Sequence, residues 1–159
     1  MSAAGPPQSA RALRGKRRKA PHGQHHATFS FPVRVYYEDT DAAGVVYYAN
    51  YLKFMERART EWLAALGFPL AAFEREHGVA FVVHRAEIDF LAPARLNDVL
   101  DVTVEPVERG ASRLVAMQEV RRGPVAITRA RVALACVDTA RWKPARMPKP
   151  LQHALETTN

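Results

Sequence analysis

The sequence predicts an α+β domain, one long helix lying on a mostly antiparallel sheet, and three observations carry that prediction. Between residues 47 and 66 the apolar positions recur at three- and four-residue intervals, the period of a helix with one broad buried face. Farther on, residues 85–90 and 100–105 alternate apolar with polar, the mark of strands with one face in a core and one in water. Glycine and proline punctuate the chain between these runs, at Gly67, Pro69, Gly78, Gly110, Gly123 and Pro124. A chain of 159 residues, 48% of them hydrophobic, is long enough for one domain with a real core and too short for two of average size.

The elements follow in order. Phe31, Val33 and Val35 share one face of a first strand over residues 30–36, and Pro32 suits a position near a sheet edge. A loop then runs to about Val46, where Gly44 admits positive φ or close backbone approach. The long helix spans Tyr47 to Leu66, with Tyr51, Leu52, Met55, Ala58, Trp62, Leu63 and Leu66 inward, and it stops at Gly67 and Pro69. Glu56, Arg57 and Glu61 read as surface ion pairs of that helix. A short second helix fits Leu70 to His77. Ala86, Ile88 and Phe90 then alternate with Arg85, Glu87 and Asp89, and Leu100, Val102 and Val104 with Asp101, Thr103 and Glu105. Residues 114–120 and 126–137 complete the strand series.

Charge divides the chain. The net charge is +7, and residues 1–30 hold six basic side chains and no acid. The remainder holds 17 basic and 16 acidic residues, so the high isoelectric point belongs to the tail and not to a nucleic-acid-binding face. The boundaries expected are a basic disordered tail over 1–29, a folded domain over 30–154 and a short C-terminal tail over 155–159. The basic tail lacks the apolar stretch of a secretory signal, and no run of about 18 apolar residues crosses a membrane. A solvated extension is the favoured reading of the tail; weak contact with an anionic surface, either phospholipid headgroups, as of an inner membrane, or nucleic acid, is the sharper one. His22, His25 and His26 have no neighbouring cysteine or carboxylate, so no metal site is expected. A single cysteine, Cys136 in an apolar strand, fits a small core residue and a reducing cytoplasm. There is no GxSxG elbow, zinc-ligand spacing, P-loop or GxGxxG, and no cofactor is expected.

The chemistry concentrates in residues 38–51, EDTDAAGVVYYANY. One carboxylate, Asp41, precedes a glycine-containing loop that runs into a helix start, where the first N–H groups lack intrahelical partners and carry partial positive charge. Such groups polarise a carbonyl and stabilise an oxyanion, while a carboxylate activates water or attacks the carbonyl itself. This arrangement resembles the hot-dog-fold acyl-CoA thioesterases of the 4-hydroxybenzoyl-CoA thioesterase group and its Tol–Pal-associated YbgC-type members. Their pattern D-x-x-G-[VI]-V-[YW]-x-x-x-Y stands here as Asp41, Gly44, Val45, Val46, Tyr47 and Tyr51. Residues 79–102 and the ending RWKPARMPKPL are similar to the same family, so the resemblance covers roughly four-fifths of the chain.

The resemblance implies an antiparallel sheet of five or six strands wrapped around one long central helix, and hydrolysis of a short-chain or aromatic acyl-CoA, or an acyl-carrier-protein thioester, in a homodimer or homotetramer without nucleic acid. The alternative it leaves is a non-catalytic acyl-CoA-binding or scaffold protein of the same fold. It implies Asp41 as the catalytic carboxylate, the backbone N–H of Tyr48 on the thioester oxygen, and Val46 and Tyr47 beside it. Many YbgC-type members have histidine where Tyr48 stands; a tyrosine is a poor base at neutral pH, which leaves Asp41 as the obvious base. Glu38 and Asp39 are competitors expected to hold the loop or face solvent. Asn50 and His84 are secondary candidates, as a polar pocket residue or local backbone partner and as a strand base. Arg85, Arg95, Arg113, Arg121, Arg122, Arg129 and Arg131 are equal candidates for coenzyme A phosphates.

Overall fold

A computed structural model describes residues 28–158. The expected basic tail, with its histidine cluster and its membrane contact, lies up to residue 27 outside the described residues. The elements are β1 (Phe29–Arg34), a short 3-10 turn (Tyr37–Asp39), α1 (Asn50–Ala65), α2 (Leu70–His77), β2 (Val79–Phe90), β3 (Val99–Arg109), β4 (Arg113–Arg122), β5 (Val125–Asp138), β6 (Lys143–Pro144) and α3 (Lys149–Thr157). The strands form one antiparallel sheet in the order β1-β3-β4-β5-β2. The two-residue β6 pairs with Val137 and Asp138 of β5, beyond the point where β4 begins opposite Ala135.

The sheet curls around α1, the hot-dog arrangement. Phe54, Met55, Ala58 and Trp62 recur along one stripe of α1, and all are buried against the inner sheet residues Leu100, Val102, Val104, Leu114, Ala116 and Val120. The outer face of the same strands carries Arg121, Glu119, Arg129 and Arg131 in side-by-side ion pairs. β1 and β3 separate their two faces as the alternation in sequence demands, whereas β2 does not: Ala86 and Phe90, expected inward, are exposed along with Arg85, Glu87 and Asp89, because the strand lies on the sheet edge.

One buried polar pin joins the two layers. Arg59 on α1 donates to Gln118 Oε1 at 2.7 Å, and Gln118 Nε2 donates to the carbonyls of Met55 and Thr103. Burial pushes the Arg59 guanidinium below its ordinary value, against the pull of Glu56.

The end of α1 is closed by a Schellman motif. Gly67 adopts φ +92°, its N–H donates to the Ala64 carbonyl, and the Phe68 N–H reaches back to Leu63. α2 has the expected span and ends on Gly78 in the left-handed region. Two boundaries differ from expectation. The long helix begins at Asn50 rather than Tyr47; before it the Tyr47 N–H bonds the Asp39 carbonyl and the Asn50 N–H closes a turn onto the Tyr47 carbonyl. At the other terminus α3 runs through Thr157, and Leu155, 1% exposed, belongs to the core rather than to a tail. Leu151 and Leu155, one helical turn apart, are the reason.

Candidate active site

The residues between β1 and α1 form a small, heavily bonded loop. Asp41 N–H donates to the Val45 carbonyl and Gly44 N–H to the Asp41 carbonyl, both at 2.9 Å, while Thr40 bridges Val46. This is a tight hairpin whose turn needs a residue in the left-handed region, and Gly44 supplies it at φ +75°. Asp41 sits exposed at the head of that hairpin, its Oδ1 accepting the Ala43 N–H at 2.8 Å. One carboxylate oxygen thus orients the side chain while Oδ2 makes no hydrogen bond among the described residues.

A second layer of bonds holds the hairpin in place. Asp39, buried, accepts the Tyr36 N–H on Oδ2 at 2.8 Å, and its carbonyl accepts both the Tyr47 N–H and Asn50 Nδ2 at 2.9 Å. Asn50 is 9% exposed and spends its amide on this backbone bond; it is a loop-positioning residue, not a polar group offered to a pocket. Val46 N–H donates to the Ala94 carbonyl, and Ala94 N–H donates to the Tyr51 hydroxyl at 3.1 Å. Burial of the Tyr51 phenol raises its pKa, with the Ala94 bond and Arg122 opposing. Arg122 braces the same segment through the Pro93 carbonyl and the Asp98 carboxylate.

These constraints sort the expected residues. The N–H groups of Val46 and Tyr47 are both consumed by backbone carbonyls, so neither is open to an oxyanion. The N–H groups of Tyr48 and Ala49 make no hydrogen bond among the described residues and lie at the positive end of α1. Tyr48 is 61% exposed, its ring edge-on to Phe90 at 6.1 Å and to Tyr47 at 4.9 Å. The neighbouring Tyr48 phenol, through side-chain bonding and charge, raises the Tyr47 pKa.

Beside Tyr48 a groove of about 340 Å³ is lined by Val46, Tyr48, Tyr51, Phe90, Leu91, Ala92 and Pro93. Val46 is a buried wall of it, and Tyr47 is not part of its lining. Phe90, Leu91 and the 92–94 segment were not singled out from sequence, since they become a wall only when the end of β2 meets the start of α1. Thr128, opposite Phe90 on β5, keeps a buried hydroxyl with no partner among the described residues.

His84 stands elsewhere. It is the extra residue of a bulge in β2, between Val83 and Arg85, exposed and six residues from Phe90, about 20 Å along the strand. The seven candidate arginines also separate. Arg85, Arg113, Arg121, Arg122, Arg129 and Arg131 are each paired with Glu87, Glu108, Glu119 or Asp98. Arg95 makes no ion pair within the described residues and lies against the loop, bridged to Val45.

This chain belongs to the thioesterase-like superfamily, whose family model matches residues 35–155. It is 46% identical over 126 residues to an acyl-CoA thioesterase YbgC of Haemophilus influenzae, covering 79% of this chain and 93% of that one. It is 45% identical over 122 residues to an acyl-CoA thioester hydrolase YbgC of Escherichia coli, covering 76% of this chain and 90% of that one. Among solved structures, a 1,4-dihydroxy-2-naphthoyl-CoA thioesterase from Synechocystis superposes with a TM-score of 0.74 at 31% identity, over 80% of this chain and 95% of that one.

Proposed function

We propose that this protein hydrolyses acyl-CoA thioesters, with Asp41 as the catalytic carboxylate and the Tyr48 N–H as the oxyanion donor. The observation that carries the proposal is an unengaged backbone N–H at the start of α1, beside an apolar groove and in the same loop as an oriented, exposed carboxylate. The acyl group lies in the groove between Tyr48, Tyr51 and Phe90, whose rings suit a short or aromatic chain. Asp41 takes a proton from water as the water oxygen bonds the carbonyl carbon, or attacks that carbon itself and is released by water. Either way the carbonyl oxygen gains negative charge facing the Tyr48 N–H, the C–S bond breaks, and the thiolate leaves and takes up a proton. Arg95 is the cation best placed to meet a coenzyme A phosphate, because it stands beside the loop and makes no ion pair among the described residues, the neighbouring Asp98 carboxylate being paired with Arg122.

The working unit is a homodimer joined through β2. That strand is twelve residues long, pairs only with β5, and exposes Val83 and Phe90 on an open edge. An edge of that length invites a partner strand, and a two-fold axis lets a second β2 provide it. The enzyme is cytoplasmic, a reading supported by its lone cysteine, Cys136, which is buried in β5. No described helix is long and apolar enough to cross a membrane.

The test is a thiol-release screen over acyl-CoA chain lengths, aromatic acyl-CoAs and an acyl-carrier-protein thioester, with Asp41→Asn alongside. Turnover of at least one thioester by the wild type and its loss in the variant is the expected result; equal rates in both would refute the role of Asp41. Light scattering at micromolar concentration should return at least twice the 17.7 kDa chain mass.

A further inference from the structure

Trp142 has no part in the site described above, yet it is 69% exposed and held with φ +54°. A bulky side chain in the left-handed region is uncommon and marks a backbone that its surroundings impose. Those surroundings are a built turn. Asp138 Oδ1 accepts the N–H groups of Ala140 and Arg141 at 2.9 Å each, and its carbonyl accepts the Trp142 N–H at 2.8 Å. Thr139 bonds the Gly78 carbonyl through both N–H and hydroxyl. The indole is therefore presented from a pinned turn. The chain that follows is also fixed, by β6 and by the bonds from Ala145 N–H to Cys136 and from Met147 N–H to Ala111.

Charge is concentrated on the same ribbon. Arg141, Lys143, Arg146 and Lys149 are all exposed, and none makes an ion pair among the described residues. No acid occurs between Asp138 and Glu156, so this stretch carries +4. The other residues from 31 onward hold 13 basic and 16 acidic side chains. The near-neutral domain is thus polarised, with its positive excess at the end of the sheet where β5 finishes.

We propose that this end of the domain docks on an anionic phospholipid surface, with Trp142 at the headgroup level and Arg141, Lys143, Arg146 and Lys149 over the lipid phosphates. An indole is apolar in body and polar at its N–H, which suits the boundary between acyl chains and water. Basic side chains near an anionic leaflet are attracted within a Debye length. A protein hot spot would instead surround the indole with apolar neighbours that exclude water; here its chain neighbours are cations. The docking is reversible, since one ring and four cations make no permanent anchor. The patch and the groove are distant in the single chain. Within one protomer Asp138 pairs with Val79 and Thr128 with Phe90, so the distance is that between opposite ends of β2 and β5, and Trp142 is roughly 35 Å from its own Phe90 along the strand. This proposal is independent of the chemistry assigned to Asp41.

The experiment is sedimentation of the full chain with phosphatidylglycerol-containing vesicles and with pure phosphatidylcholine vesicles, for wild type, Trp142→Ala and the double variant Arg141→Glu/Lys143→Glu. The N-terminal residues are present in all three, so differences read the patch alone. Wild type should bind only the anionic vesicles. Trp142→Ala should lose about tenfold in affinity, the worth of one buried aromatic. The double variant should lose at least ~25-fold. Both should keep the secondary structure of the wild type. Bromine-labelled lipid should quench wild-type emission through Trp142, because Trp62 is 2% exposed inside the core. Equal sedimentation of all three proteins would overturn the proposal, as would bound protein whose emission the bromolipid leaves unchanged. Binding of the wild type to polyglutamate or to an oligonucleotide but not to vesicles would assign the patch to an acidic macromolecule and overturn the lipid reading.

Discussion

The two ends of α1 carry grooves of nearly equal size, about 340 Å³ beside Tyr48 and about 320 Å³ beside Trp62 and Leu66. Only the first has the groups that the proposed acyl transfer uses. At its N-terminus α1 leaves the Tyr48 and Ala49 N–H groups unengaged, next to a hairpin that aims Asp41 outward. At its C-terminus the Schellman motif satisfies the Ala64 and Leu63 carbonyls, and the lining is mainly Phe29, Trp62, Ala65, Leu66, Val104 and Pro106. The volumes match, and the difference lies in unmet directional groups. A helix start that is left open is electrostatically positive and can receive developing negative charge, whereas a closed end of the same helix has nothing to offer it.

That contrast makes the two ends separable by mutation. Trp62→Ala should have the largest effect and on stability alone: removing a buried indole costs about 3–5 kcal/mol, read as a lower urea midpoint. Turnover per folded molecule should stay within about twofold of wild type, since the site is some 20 Å away along α1; a large loss in kcat would show that the two ends are coupled. Asp41→Asn reverses the pattern. Turnover should fall by at least ~10²-fold, about 2.7 kcal/mol of barrier, with an unchanged melting curve because the side chain is exposed.

Asn50→Ala lies between these extremes. It removes one bond to the Asp39 carbonyl, which keeps its bond from Tyr47, so stability should drop by about 1 kcal/mol. The hairpin it steadies should loosen, and kcat should fall about tenfold while KM changes less. Turnover equal to wild type would mean that Asp39 and Thr40 hold Asp41 unaided.

The smallest effect belongs to the outer face of the sheet, away from both ends. Burial alone would raise the Glu119 pKa, but hydrogen bonds from Arg129 and Arg121 outweigh it and hold the carboxyl below its ordinary value. A depressed folded pKa contributes stability above the unfolded value and loses it as pH falls through the folded one. Glu119→Gln should therefore be less stable than wild type by under ~1 kcal/mol at neutral pH. The gap should close below about pH 4. Urea midpoints of both proteins at pH 7 and pH 3 measure it, and a gap that persists at pH 3 would assign the effect to packing.

Periodicity was enough to read most of the helix stripe and the faces of the inner strands, because each inward position is dictated by its neighbours three, four or two residues away; it misplaced Leu52 and Phe90, which are 43% and 51% exposed. The start of α1 was legible only approximately. Tyr47 and Tyr48 continue the apolar pattern, yet Tyr47 is bonded to the Asp39 carbonyl in a turn that precedes the helix. Asp41 and Tyr48 stood out through a local motif; Phe90 and Leu91 did not, since nothing near them in sequence says that they face Tyr48. The arginines were indistinguishable until their carboxylate partners on neighbouring strands were placed, which left Arg95 unpaired beside the loop.

By itself the sequence determined what short-range rules determine: one amphipathic helix, strands with a polar and an apolar face, a glycine turn behind a single carboxylate, and a positive excess confined to particular segments. The tertiary structure decided everything that depends on residues distant in the chain. It closed the Val46 and Tyr47 amides and left that of Tyr48 open, made Asn50 a loop support, carried His84 away to a bulge, and set Trp142 outward on a turn pinned to Gly78. The physical reason is the range of the interactions: periodic burial is set by the nearest turns of backbone, whereas hydrogen-bond satisfaction is settled only when the sheet folds over the helix.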